Sequence, residues 1–270
     1  GDITEVGSAQ RSVAWAEVAR RLAHEIKNPL TPIQLSAERI EHKLAERLQG
    51  TDRAMLERSV ATIVSQVQAM KQLVDEFRDY ARLPAAKLLP LELNALVQDV
   101  MALYAAAHEQ GRLELRLAPT LPQIEGDASQ LRQVVHNLVQ NGLDAVADRA
   151  EGQVIVSTEA ARNDDGELRA VRLKVSDNGP GFAEKVQKRA FEPYVTTKPK
   201  GTGLGLAVVR KIADEHGARV RIANLLPPGQ TEGTPCGAQV SLSFSRFAAA
   251  DPVREHDSTG PASTGVAQRT

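Results

Sequence analysis

Over residues 11–48 apolar side chains fall at Val18, Leu22, Ile26, Leu30, Ile33, Ala37, Ile40 and Leu44, in steps of four or three. That near-heptad spacing predicts one long helix with a single apolar seam, roughly 55 Å long at 1.5 Å per residue. Gly50 breaks the pattern, and Thr51-Asp52 are predicted to cap a second helix. This second helix carries Leu56, Val60, Ile63, Val67, Met70, Val74 and Phe77 and stops before Pro84. Two such helices joined by a short turn make a hairpin. One hairpin covers only part of each apolar stripe. Two hairpins forming a four-helix bundle cover it, so the pattern predicts a homodimer.

From about Pro90 the texture changes. Residues 94–109 and 128–149 read as helices. RLELRL (112–117), QVIVSTEA (153–160) and LRAVRLKVSD (168–177) read as strands, the last two around the turn Asn163-Asp164-Asp165-Gly166. A helix at 204–216 and strands at 218–224 and 238–246 follow. Residues 180–203, rich in Gly, Pro, Thr and Lys, are too long for a simple connector, and loops of that length are usually functional. The last 20 or so residues lack an apolar pattern and are predicted to be disordered. The second unit is therefore of mixed α/β type.

Composition narrows the function classes. Lys+Arg total 33 against 34 for Asp+Glu, without the basic excess of a general nucleic-acid binder. Apolar residues at 42% support real cores, and aromatics at 3% make those cores aliphatic. Cys236 is the one cysteine, so no intrachain disulfide forms. No apolar run approaches the ~18 residues of a membrane span, and GDITEVGSAQ lacks a signal-peptide pattern. The histidines show no metal-ligand spacing.

HEIKNPL, residues 24–30, lies inside the first helix. His24 is two residues from both Leu22 and Ile26, so at 100° per residue it faces away from the seam. Asn28 is one turn further on that face. Pro29 leaves the Glu25 carbonyl without its helix donor and predicts a bend, to which Pro32 adds. An exposed histidine is usually just solvated. Here Glu25 can accept the proton of one ring nitrogen and leave the other as a nucleophile.

Three further segments carry polar chemistry. NLVQNGLDAV (137–146) sets Asn137 and Asn141 on one helix face, with Asp144 nearby. The Asn141 amide oxygen suits Mg²⁺ as a hard ligand. DNGPG (177–181) ends a strand, where Asp177 can accept from an exocyclic amine such as that of adenine. Gly179 and Gly181 let the chain turn against a flat ring. GTGLGL (201–206) opens a helix, where Gly201, Thr202, Gly203, Leu204 and Gly205 offer backbone N–H groups to phosphates. Each alone has an ordinary reading as a turn, a cap or a loop. The pattern is neither a Rossmann fingerprint nor a Walker loop, since no strand directly precedes GTGLGL and no Lys-Ser/Thr pair follows.

In this order the segments resemble the bacterial sensor histidine kinases of two-component systems. HEIKNP resembles the phosphoacceptor box, residues 137–145 the asparagine box, DNGPG and GTGLGL the two glycine boxes, and FEPYVTTK (191–198) the phenylalanine box. The stretch AWAEVARRLAHEIKNPLTPIQLSAERI further resembles the NtrY type of nitrogen-regulation sensor kinase. Gly142 departs from the alanine usual there. The resemblance implies a remnant of a PAS-like sensor at 1–9, a dimerisation and histidine-phosphotransfer domain at 10–83, an ATP-binding domain at 84–247 and a disordered tail at 248–270. The fold implied is a helical hairpin dimerising into a four-helix bundle, plus an α/β sandwich of the gyrase/Hsp90/histidine-kinase/MutL type. The resemblance also implies a cytoplasmic fragment of a parent held in the bacterial inner membrane.

The activity implied is autophosphorylation of His24 from ATP with Mg²⁺, assisted by Glu25. Transfer to an aspartate of a response regulator receiver domain follows, for instance an NtrX-like regulator, with Asn28 serving a phosphatase activity on that regulator. Residues 182–202 would form a lid, with Lys198 and Lys200 as phosphate contacts. In the related ATPases a glutamate activates water four residues before the metal-binding asparagine. Asn137 stands there in this chain and is no efficient base. A clamp-type ATPase and a catalytically silent scaffold stay open as alternatives. Asn137 and the HEIKNP helix weigh against the first, and the intact boxes against the second.

Overall fold

The computed structural model describes residues 2–193, 195, 203–230 and 232–249, with residues 2–14 described by their backbone alone. Lys198, Lys200, Gly201, Thr202 and the predicted disordered tail beyond residue 249 lie outside the described residues.

Helix α1 (Asp2–Leu44) and helix α2 (Gly50–Arg82) pack as an antiparallel hairpin. The heptad is visible in what they bury. Ala23, Leu30 and Ala37 recur every seven residues on α1, and Val60, Val67, Val74 and Ala81 on α2. Small side chains dominate this contact and let the two backbones approach. The larger members of the predicted seam, Val18, Leu22, Ile26, Ile33, Ile40 and Leu44, stay between 37% and 50% exposed. Ile63 and Met70 of α2 are exposed as well. The seam is wider than one partner helix can cover, so the intrachain contact takes its small-residue edge and leaves its bulky edge open. Two half-buried polar layers sit within the hairpin: Lys27 Nζ pairs with Asp75 Oδ1 at 2.8 Å, and Lys71 Nζ donates to Gln34 Oε1 at 3.2 Å. Such layers fix register at some cost in stability.

Two helix expectations are corrected. Helical backbone reaches back to Asp2, so residues 2–9 continue α1; a lone Gly7 costs only about 1 kcal/mol in a helix. Pro29 and Pro32 lie within α1, and Leu30 between them is buried. Helix α2 starts one residue before the predicted cap: Gln49 is its N-cap, without a side-chain bond, and Gly50 at φ +60° makes the turn. Asp52 then lies in the first turn, favourably placed against the positive helix end.

The second unit runs β1 (Leu89–Leu91), α3 (Leu93–Met101), a 3₁₀ turn (Ala102–Tyr104), α4 (Ala105–Glu109), β2 (Leu113–Arg116) and β3 (Ile124–Gly126). It continues with α5 (Ala128–Ala145), β4 (Val154–Arg162), β5 (Leu168–Asp177), α6 (Glu184–Gln187), α7 (Gly205–Glu215), β6 (Arg219–Leu225) and β7 (Gly237–Phe244). Five strands form one sheet in the order β2-β4-β5-β7-β6. β2 runs parallel to β4, and the other neighbours are antiparallel. β1 and β3 form a separate antiparallel pair that the sequence reading did not include. The predicted helix 94–109 is broken at Ala102–Tyr104, where the Tyr104 hydroxyl turns to meet His136 Nδ1 at 2.6 Å.

Helices α3, α5 and α7 share one core with the inward face of the sheet, built from aliphatic residues such as Val97, Val135, Leu138, Val156, Leu173, Ile212 and Leu242. β7 shows the alternation directly: Ala238, Val240, Leu242 and Phe244 are buried, while Gln239, Ser241 and Ser243 point to the other face. Gly142 has its own reason here. A Cβ at that position would lie 3.0 Å from Val154 Cγ2, so the glycine lets α5 settle close on β4.

Candidate nucleotide and phosphoacceptor sites

His24 and Asn28 are both exposed and lie one turn apart on α1, on the outward face the spacing predicts. Lys27 turns the other way, into the hairpin and onto Asp75. Glu25 is exposed, and its Oε1 accepts from Arg21 Nε at 3.3 Å rather than from the histidine. That i,i+4 pair is solvated and weak, so it leaves the carboxylate free to re-pair.

Helix α5 is the spine of the second site. Asn137 Nδ2 donates to the Gly205 carbonyl at 3.3 Å. Asn141 lies against the same glycine, since a Cβ at Gly205 would sit 3.4 Å from its Nδ2. The two asparagines therefore face the N-terminus of α7, where backbone N–H groups and the positive helix end favour anions. Leu204 caps that end with its backbone and anchors it by being buried, and Gly203 before it turns the chain at φ +72°. Asp144 is exposed one turn beyond Asn141 and accepts from Gln140 Nε2 at 2.9 Å.

One turn further along α5, Ala145 meets the DNGPG loop. A Cβ on Gly179 would lie 3.0 Å from the Ala145 carbonyl and 2.7 Å from Asp177 Oδ1. Asp177 Oδ1 accepts from Gly179 N at 2.8 Å, which orients the carboxylate at the end of β5. Gly181 holds φ +76°, with Pro235 and Asn224 where a side chain would go. Asn178 is stitched to the neighbouring strand start, accepting from Gln153 N at 2.7 Å and donating to the Glu151 carbonyl at 2.8 Å.

Two residues of this cradle escaped sequence reasoning. Asn224 on β6 accepts from Phe182 N at 2.7 Å and donates to the Phe182 carbonyl at 2.9 Å, clamping the loop after DNGPG. At Gly237 a Cβ would lie 2.0 Å from the Asp177 carbonyl, so no other residue fits behind the aspartate. The structure thus gathers Asn137, Asn141, Gly203, Leu204 and Gly205 beside the middle and later turns of α5, and Asp177, Gly179 and Gly181 at its C-terminal end. The phosphoacceptor helix α1 keeps its own packing partner, α2.

Residues 14–86 match the family described as the His Kinase A (phospho-acceptor) domain. Residues 126–246 match the family described as histidine kinase-, DNA gyrase B- and HSP90-like ATPase. The chain belongs to the bacterial sensor histidine kinases. This kinase is 38% identical over 234 residues to the nitrogen regulation protein NtrY of Azorhizobium caulinodans, which covers 85% of this chain and 29% of that one. It is 34% identical over 222 residues to the sensory histidine kinase/phosphatase NtrB of Rhizobium meliloti, covering 79% and 56%. The kinase spans between 29% and 35% of the length of the NtrY-type relatives.

Among solved structures, full-length ShkA in complex with AMPPNP superposes with a TM-score of 0.58 at 29% identity, covering 88% of this kinase and 47% of that chain. The histidine kinase ThkA in complex with response regulator protein TrrA gives 0.59 at 22% identity, covering 92% and 68%, a likeness of fold. No described helix is long and apolar enough to cross a membrane.

Proposed function

We propose that this kinase binds ATP along α5 and transfers the γ-phosphoryl group to His24. The observation that carries the reading is an exposed histidine on α1 in the same chain as a polar cradle along the C-terminal half of α5. Asp177 accepts from the adenine amine, with Gly179 and Gly181 clearing space for the ring. Asn137, Asn141 and the start of α7 take the phosphates. The donor set fits a hard cation: neutral amide oxygens, with Asp144 one turn away. Mg²⁺ held by Asn141 would screen the phosphate charge. Lys198, Lys200, Gly201 and Thr202 are assigned to the phosphate side on sequence alone.

A neutral imidazole nitrogen of His24 attacks the γ-phosphorus in line, and ADP leaves with the bonding pair. Glu25, released from Arg21, holds the proton of the other ring nitrogen. With so little covalent chemistry asked of the protein, positioning and electrostatics supply the rate. Asn137 where a carboxylate would activate water favours histidine over water as acceptor. We assign residues 10–83 to dimerisation and phosphotransfer and 84–247 to ATP binding, and take the chain to be a homodimer. The phosphoryl group then passes to an aspartate of a response regulator, with an NtrX-like regulator as the specific candidate. We take the parent to carry an upstream sensor and a membrane anchor, as the resemblance of the first residues to the end of a PAS domain implies.

Incubation with γ-labelled ATP tests the reading. Wild type acquires acid-labile, alkali-stable label, and His24→Gln acquires none while binding ATP equally well. Free phosphate as the sole product would replace this reading with a clamp ATPase. Equal labelling of both proteins would remove His24 from the reaction.

A further inference from the structure

Helix α2 ends at Arg82, and Pro84 follows two residues later. A helix carbonyl four residues before a proline receives no helix bond, because proline has no N–H. That carbonyl belongs to Tyr80. Lys211 of α7 fills the gap: its Nζ donates to the Tyr80 carbonyl at 2.9 Å, with the same ammonium 5.0 Å from the centroid of the Tyr80 ring. The acceptor orphaned at the end of the phosphoacceptor hairpin is thus capped by the nucleotide unit.

The neighbouring bonds are of a different kind. Gln130 Nε2 donates to the Pro84 carbonyl at 2.8 Å, Ala86 N to Glu215 Oε2 at 3.2 Å, and Lys87 N to Asp127 Oδ2 at 2.9 Å. All three hold the connecting segment and can travel with the nucleotide unit. The Lys211 bond is made to the helix itself. Its partners are a carbonyl and a ring face, not a carboxylate. Burial holds the ammonium below the usual lysine range, and the charge of Glu215 offsets only part of that. A desolvated cation held this way regains hydration on opening, so the contact is easily reversed.

Its location ties it to the reaction. Tyr80 lies in the last turn of α2, the helix packed along the phosphoacceptor helix α1. Lys211 lies six residues along the same rigid helix that begins at Gly205, opposite Asn137 and Asn141. In this arrangement the nucleotide unit rests on α2, whereas His24 is carried by α1.

We propose that Lys211 and Tyr80 form a latch that parks the nucleotide unit on α2, and that opening it frees the unit to carry ATP to His24. Lys211 is a positioning residue here, acting through the placement of α7. The inference rests on the kinase reading above.

The test compares wild type, Lys211→Met, which keeps the stem and loses the cap, and Lys211→Arg, which keeps a donor. Amide hydrogen exchange at Asp79–Arg82, initial autophosphorylation rate and ATP affinity are measured on each protein over all 270 residues. In Lys211→Met, exchange in that last turn accelerates by about tenfold and labelling of His24 by several-fold. ATP affinity stays unchanged, and Lys211→Arg remains close to wild type. Unchanged exchange and rate in Lys211→Met overturn the latch. Faster exchange with a slower rate also overturns it, because the contact would then be productive rather than restraining. A wild type that binds ATP and never labels His24 fails the kinase reading instead, and the exchange measurement still reports on the latch.

Discussion

Asn28 is exposed one turn beyond His24, and its amide both donates and accepts. A regulator docked there would bring its aspartyl-phosphate to that amide, which can hold a water in line. Positioning of this kind contributes large rate factors without a strong base. Asn28→Ala is therefore expected to autophosphorylate like wild type and to dephosphorylate its regulator at least tenfold more slowly. Both rates come from one preparation; a parallel loss of both would indicate a distorted helix. At Gly237 the expectation is steric. A Cβ 2.0 Å from the Asp177 carbonyl forces β7 or the DNGPG loop to move. Gly237→Ala should weaken nucleotide binding by tenfold or more, about 1.4 kcal/mol, read by calorimetry. Unchanged affinity would show that Asp177 does not depend on that close approach.

At the scale of elements, periodicity carried most of the fold. The heptads of α1 and α2, the amphipathic α5 and α7 and the alternating β4–β5 hairpin were legible within about four residues of their ends, except that α1 begins at Asp2 rather than near residue 11. The β1–β3 pair was not, because three residues hold no period and Leu89 is largely exposed. Asn224 and Gly237 were invisible for a related reason. A lone asparagine on a strand and a glycine at the start of one carry no pattern. Their roles exist only against Phe182 and Asp177, more than 40 residues away in the chain.

One element junction makes a pH prediction. Burial pushes the Asp127 carboxyl up, but the backbone N–H groups of Lys87, Gln130 and Ser129 outweigh this, helped by His216, and hold it below its usual range. A depressed folded value means that the contribution is present above the unfolded pKa, about 3.9, and is lost as pH falls through the folded value. As the N-cap of α5, Asp127 accepts from Gln130 N at 3.1 Å. Asp127→Ala should cost about 0.5–2 kcal/mol at pH 7. The gap to wild type should close below about pH 4 in denaturant unfolding. A pH-independent gap would mean the carboxylate charge plays no part.

For the whole molecule, the exposed bulky edge of the hairpin decides assembly. Pro32, Ile33, Ser36, Ala37, Ile40 and Ile63 line an open apolar groove of about 350 Å³. A second hairpin laid there completes the four-helix bundle. Ile33→Glu combined with Ile40→Glu is expected to give a monomer by sedimentation that still binds ATP, since α5 and α7 lie in the other unit. A dimer that persists in the double variant would place the interface elsewhere.

The alanines of the hairpin have a thermodynamic consequence. Ala19, Ala23 and Ala37 bury one methyl each where leucines would bury four carbons, and each missing methylene forgoes about 0.8 kcal/mol. The hairpin alone is then a marginal structure, and in the proposed homodimer much of its apolar surface leaves water only when two chains meet. Folding and association of this half become a single equilibrium. Its melting temperature ceases to be a constant of the sequence and rises with protein concentration, while that of the nucleotide unit, with its own closed core, stays where it is.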